Sequence, residues 1–351
     1  MNFASDNWAG VHPAIAQRLS ADAAGYAKAY GGSVLDQQVA QQFNALFERE
    51  VAVFFVATGT AANSLALAAV NRPGGVVFAH SDAHMIDDEC GAPEFFTQGA
   101  RLQGVGGALG KMAPAQLRAE IARCPAEFVH RGQPMAMSLT QATEFGTCYS
   151  LQDIQTLAAI AQAQGVPLHM DGARFANALV ALEVSPAAMT WQAGVDMLSF
   201  GATKNGCWCA EALVVFRPEL TDALPFLRKR AGQLLSKSRF IASQFAAYFA
   251  DDLWLRLARH ANAKAQQLQQ GITQASQARL AWPTQTNEVF CIVSKHLAQQ
   301  LQQHGAFFHI WVPPRSWSGV LAADEVLMRL VCCYATTDEE VQRLLSLLNT
   351  V

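Results

Sequence analysis

The stretch "LQDIQTLAAIAQAQGVPLHMDGAR", Leu151 to Arg174, carries the decisive pattern for the fold. Its first part reads as a helix closed by Gly165, the residue type best suited to a left-handed C-terminal position. "VPLHMD" then reads as a strand that ends on Asp171. Working outward, the same alternation recurs. Upstream, "QQVAQQFNALFER" has helical spacing, "AVFFVATGT" is a buried strand running into a glycine turn, and "ANSLALAAV" is helical again. "GVVFAH" is a strand, "APAQLRAEIARC" a helix and "PMAMSLT" a strand ending at Thr140. Downstream come the strands "DMLSFGATK" and "EALVVFR". Strands alternating with helices imply a mostly parallel sheet covered on both faces. In such sheets ligands bind at the carboxyl ends of the strands, so the residues just after each strand need inspection.

From about residue 236 the texture changes. A long helical tract rich in Ala, Gln and Leu runs to about Ala275. The strands "EVFCIVS" and "VLMRLVCC" follow, separated by the helix "HLAQQLQQHG". "TTDEEVQRLLSLL" opens on a capping box of Thr337 and Glu340. We therefore expect an N-terminal arm (1–20), a large domain (21–240) and a smaller C-terminal α/β domain (241–351).

Composition agrees with a well-packed chain of more than one domain: 351 residues, 51% apolar and only 15% charged. A net charge of −3 leaves no electrostatic footprint for nucleic acid. The cluster Arg228-Lys229-Arg230 is local and lacks aromatic interleaving. The eight cysteines form no CxxC pair and are expected as reduced thiols in a cytoplasmic protein. "CWC" at Cys207–Cys209 suits packing better than zinc, and no metal is expected. The start of the chain lacks the basic-then-apolar pattern of a signal peptide, and no apolar run is long enough to cross a membrane.

Five strand ends carry suggestive chemistry. Gly59, Thr60 and Ala61 begin a helix after a strand, a natural anion site, though without the Gly-Lys-Ser/Thr of a P-loop. "GVGGALG" at 104–110 has the wrong glycine spacing for a dinucleotide fingerprint, and no strand is expected before it. His84 follows "GVVFAH" and could stack on an aromatic ring or handle protons, with Glu89 five residues on. Asp171 is a lone carboxylate ending an apolar run, able to hold a cationic ring nitrogen. Arg174 could grip a carboxylate or pair with an internal aspartate. Lys204, in "SFGATKNG", sits at a strand end where partial desolvation would suit a Schiff-base lysine. Arg329 is a single charge within the apolar "VLMRLVCC". In this order the five suggest pyridoxal phosphate handling an amino acid.

The chain resembles the low-specificity L-threonine aldolases of the β-eliminating lyase group, fold type I pyridoxal phosphate enzymes that include phenylserine-aldolase-like members. "SD" at Ser5-Asp6, "YGG" at Tyr30, "TGTAANSLAL", "AH" with Glu89, "LHMDGARFANAL", the lysine strand and "LMRLVCCYATTDEEV" carry the resemblance along nearly the whole chain. It implies a seven-stranded, mostly parallel sheet between helices, with a smaller C-terminal α/β domain. It implies an aldolase that binds pyridoxal 5'-phosphate and cleaves threonine, allo-threonine and related β-hydroxy-α-amino acids to glycine and an aldehyde. By the same resemblance Lys204 would carry the cofactor, Asp171 would pair with its ring nitrogen, and His84 would stack on the ring. Gly59, Thr60 and the Ala61 amide would hold the phosphate. Ser5, Arg174 and Arg329 would bind the substrate carboxylate. Tyr30 and Lys229, or Lys237 in place of the latter, would reach a neighbouring subunit's site in a homodimer or homotetramer. The family's "SLENT" loop histidine is missing: "SLTQATEFG" puts Thr143 there, with Gln141 nearby, and His84 acting through a water becomes the candidate base. Transamination, β-elimination and cofactor binding without catalysis are the competing readings.

Overall fold

In the computed structural model, which describes residues 1–350, the apolar runs become strands buried on both faces. β1 (Ala52–Val56), β2 (Gly75–His80), β3 (Arg101–Val105), β4 (Gln133–Thr140), β5 (Leu168–Gly172), β6 (Met197–Gly201) and β7 (Glu211–Val215) form one seven-stranded sheet in the order β1-β7-β6-β5-β4-β2-β3. All residues of β2, β5, β6 and β7 are buried, which is why they read as continuous apolar runs rather than as alternation. The sheet is parallel except for β7, which runs antiparallel to both its neighbours.

One helical crossover connects β4 to β5. Its helix, Leu151–Ala163, starts on a reciprocal capping box of Ser150 and Asp153. It ends where Gly165 takes a φ of +65°, as its position after the last apolar residue suggests. Register then puts Thr140, Asp171 and Ser199 side by side, so Asp171 lies at the carboxyl edge of the sheet's centre. β3 corrects one expectation: a strand does precede "GVGGALG". It reads poorly in the sequence because it is a five-residue edge strand, only partly buried, whose apolar residues are interrupted by Arg101 and Gln103.

A second sheet of four antiparallel strands, β8 (Ala278–Leu280), β9 (Glu288–Ser294), β10 (His309–Trp311) and β11 (Glu325–Val331), lies in the order β10-β11-β9-β8. The helical tract before it is two helices, Arg239–Phe249 and Leu253–Gln274, rather than one. The second helix joins two cores. Trp254, Leu257 and Ala258 pack into the core of the large sheet, whereas Ala265, Leu268 and Ile272 pack against the small sheet. The chain's first residues also belong to the small sheet's core: Phe3 is fully buried there, its N–H donating to Phe307 and its carbonyl accepting from Val331. None of the eight cysteines is bridged, and among the described residues no helix is long and apolar enough to cross a membrane.

Candidate active site

The lysine is positioned by packing beneath it. Phe200, on β6, meets Phe43, Phe175, Phe245, Phe249 and Trp254 in a buried aromatic cluster. That cluster anchors the strand end from which the turn Thr203–Asn205 rises. Asn205 is pinned from below, its amide donating to Tyr248 Oη at 2.7 Å and to the Trp254 carbonyl at 2.9 Å. Gly206 closes the turn with a φ of +102°, a conformation side chains rarely adopt. Lys204 projects from this turn into a cavity of about 290 Å³.

Three other chain segments line the same cavity. After β1, Thr58 caps the helix Gly59–Ala69, its hydroxyl accepting the Ala61 N–H at 3.2 Å. The Ala61 amide is therefore already engaged and Ala61 does not line the cavity, leaving Gly59 and Thr60 as the residues that face it. One turn on, Asn63 faces inward and donates from one amide nitrogen to two buried carboxylates: Asp171 Oδ2 and Glu89 Oε1, each at 2.8 Å. The second oxygen of Asp171 accepts the Ala173 N–H at 3.0 Å. Glu89 also accepts from His84 Nδ1 at 2.9 Å. That hydrogen bond, against the opposing effect of burial, raises the imidazole above its ordinary value. Glu211, the first residue of β7, closes the cavity beside Lys204; burial pushes its carboxyl up to about 7.

Beside the cavity lies a buried network of charge. Asp6 takes Arg174 in bidentate fashion, at 2.7 Å and 3.1 Å, and Asn287 adds a third contact to the same aspartate. The third guanidinium nitrogen of Arg174 faces Glu288 at 3.2 Å. Burial works against the charge of Arg174, but Asp6 and Glu288 outweigh it and hold the guanidinium firmly protonated. Arg329 stacks 3.9 Å over Trp311 and lies 4.0 Å from Glu288, with its Nε unpartnered. Ser5 caps the following turn with its hydroxyl.

Lys204, Asp171, His84, Gly59 and Thr60 are thus brought to one cavity; Arg174 directly follows its lining residue Ala173, while Arg329 and Ser5 are not among the residues that line it. Tyr30 and Lys229 meet each other elsewhere, the ammonium 5.5 Å from the ring centre, and neither lines this chain's cavity. Gln141 and Thr143 correct the sequence reading. Both are fully buried. The Gln141 amide exchanges hydrogen bonds with the backbone of Tyr149, and Thr143 bonds Thr147 and the Leu109 carbonyl, so neither faces a substrate. Sequence reasoning passed over Asn63, Glu211 and Glu144, all three in the cavity wall. Glu211 carried a signal, a lone charge opening the apolar "EALVVF"; Asn63 carried little, being one amide in a small-residue helix.

A model of the β-eliminating lyase family matches residues 2–296. The chain belongs to the β-eliminating lyase family. A low-specificity L-threonine aldolase of Pseudomonas aeruginosa is 38% identical over 342 residues, covering 97% of this chain and 95% of the relative. One from a Pseudomonas species is 38% identical over 310 residues, covering 88% and 89%. A solved structure of Leishmania major threonine aldolase superposes with a TM-score of 0.91 at 27% identity, covering 99% of this chain and 98% of that one. As a member of this family the chain is a lyase dependent on pyridoxal 5'-phosphate. The residues present fit that cofactor. A single amine, a helix start able to receive a phosphate, and two buried carboxylates bridged by one amide surround one cavity. Such a pair of buried carboxylates can accommodate a cationic ring nitrogen nearby.

Proposed function

We propose that the protein cleaves β-hydroxy-α-amino acids, threonine and allo-threonine among them, into glycine and an aldehyde. The observation that carries this reading is the shared cavity of Lys204 and the Asn63-held Asp171 in a chain matched end to end by threonine aldolases. When bound, the cofactor supplies the sink for the electron pair of the broken Cα–Cβ bond. The chain's own residues do the rest. Lys204, the cavity's one amine, would hold the cofactor. Asp171, fixed by two hydrogen bonds, would keep a proton on the ring nitrogen. His84, tethered by Glu89, would flank the ring. The amides of Gly59 and Thr60 would receive the phosphate. Arg174, its plane set by Asp6, and Arg329, its plane set by Trp311, receive the substrate carboxylate with Ser5. That grip would orient the substrate and so select which bond at Cα is broken. Tyr30 and Lys229 serve the site of a second copy in a homodimer or homotetramer.

The test is one assay on purified holoenzyme. Its visible cofactor absorbance is recorded, and threonine, allo-threonine and phenylserine are then supplied with aldehyde and glycine detection. Lys204→Ala is expected to lose both the lysine-linked absorbance and turnover. Formation of a keto acid or of pyridoxamine phosphate in place of glycine and aldehyde would overturn the reading.

A further inference from the structure

Next to the cofactor cavity lies a second one of about 390 Å³, lined by Phe145, Ile310, Trp311, Val312, Pro313 and Pro314 together with acidic residues of the His84 segment. One residue lines both: Glu144. It stands beside the position where the family histidine is replaced by Thr143, and the local turn explains the exchange of roles. Thr143 turns inward, its hydroxyl accepting the N–H of Phe145 and of Thr147 and its carbonyl accepting Gly146 N–H. Trp282 fixes the Phe145 carbonyl, its indole N–H donating at 2.9 Å. With its neighbours anchored, Glu144 is left facing the cavities. Among the described residues its carboxyl has neither a hydrogen-bond nor an ion-pair partner.

We infer that Glu144 takes the β-hydroxyl proton during cleavage, a step that rests on the aldolase reading above. We place the β-substituent of a substrate joined at the Lys204 end toward the second cavity, whose wall the first shares through Glu144. The β-carbon then passes the threshold that Glu144 forms. His84 is the poorer acceptor, because its bond to Glu89 favours the protonated imidazole. The balance is simple. The β O–H bond breaks and its proton moves to the Glu144 carboxylate. The oxygen keeps the electron pair and forms the second bond of the aldehyde carbonyl. The Cα–Cβ pair passes to Cα and into the bound cofactor. Glu144 afterwards loses its proton to solvent through the second cavity.

Glu144→Gln and Glu144→Asp in the holoenzyme test this, with two readouts. Cleavage of phenylserine and threonine in Glu144→Gln is expected to lose about 10²–10⁴-fold in kcat with little change in KM, and Glu144→Asp to recover part of it. Exchange of the glycine α-proton with deuterium, followed by NMR, involves no β-hydroxyl and is expected to stay within about threefold of wild type. Cleavage by Glu144→Gln within about threefold of wild type overturns the inference, as does a parallel fall in cleavage and exchange. A wild-type enzyme that exchanges glycine protons yet releases no aldehyde overturns the aldolase reading and this step with it.

Discussion

At His169, two residues before Asp171 on β5, an imidazole is fully buried between two serine hydroxyls, Ser138 and Ser199, each at 2.9 Å. Burial holds it down to about 4. Unfolded, the same ring titrates near ~6.5, so between these values the unfolded chain takes up a proton that the native one refuses. The stability is therefore present above about pH 6.5 and is lost as the pH falls toward 4. Going from pH 7 to pH 5 this one group costs about 2 kcal/mol. His169→Asn is expected to narrow the gap between urea-unfolding stabilities at the two pH values by about that amount; an unchanged gap would refute it. Asp171, Lys204 and His84 were legible in the sequence because each is a polar residue at, or within a few residues after, the end of an apolar strand. Glu144 was not, since which of Gln141, Thr143 and Glu144 faces the cavity depends on hydrogen bonds made to Leu109, Tyr149 and Thr147.

Among the elements, the close meeting of two strand ends decides the site's shape. A Cβ added at Gly201, the end of β6, would lie 2.6 Å from the Ala173 carbonyl beyond β5. Those two ends carry Lys204 and Asp171. Gly201→Ala is expected to push them apart, lowering stability by about 1–3 kcal/mol and weakening cofactor retention in the absorbance spectrum; a variant as stable and as yellow as wild type would contradict this. The alternation of strand and helix was readable except at the edge strand β3, because fully covered strands are apolar along their whole length. Two kinds of feature were not. β8 and β10, of three residues each, hold too little pattern to show a period. The break at Ala250–Asp252, where Asp251 and Asp252 take φ values of 50° and 53°, falls in "FADDLW" without the glycine or proline that normally marks a stop.

For the whole molecule, the start of the chain ties its parts together. Phe3 fills the small sheet's core, Asp6 holds Arg174, and Asn287 closes on the same carboxylate. Phe3→Ala is expected to cost about 3 kcal/mol in unfolding experiments and to raise KM for the amino acid, because the segment carrying Asp6 loses its anchor; an unchanged KM would separate the anchor from the site. The same arrangement has a consequence for how the protein is made. Phe3 and Asp6 leave the ribosome long before Arg174, Asn287, Phe307 and Val331, so the segment waits in water with its aromatic ring exposed until nearly all of the chain is out. The large sheet can form earlier, but the carboxylate grip cannot. Catalytic competence therefore arrives as a terminal event of synthesis, and a nascent chain halted before residue 331 has its lysine but not its arginines in order.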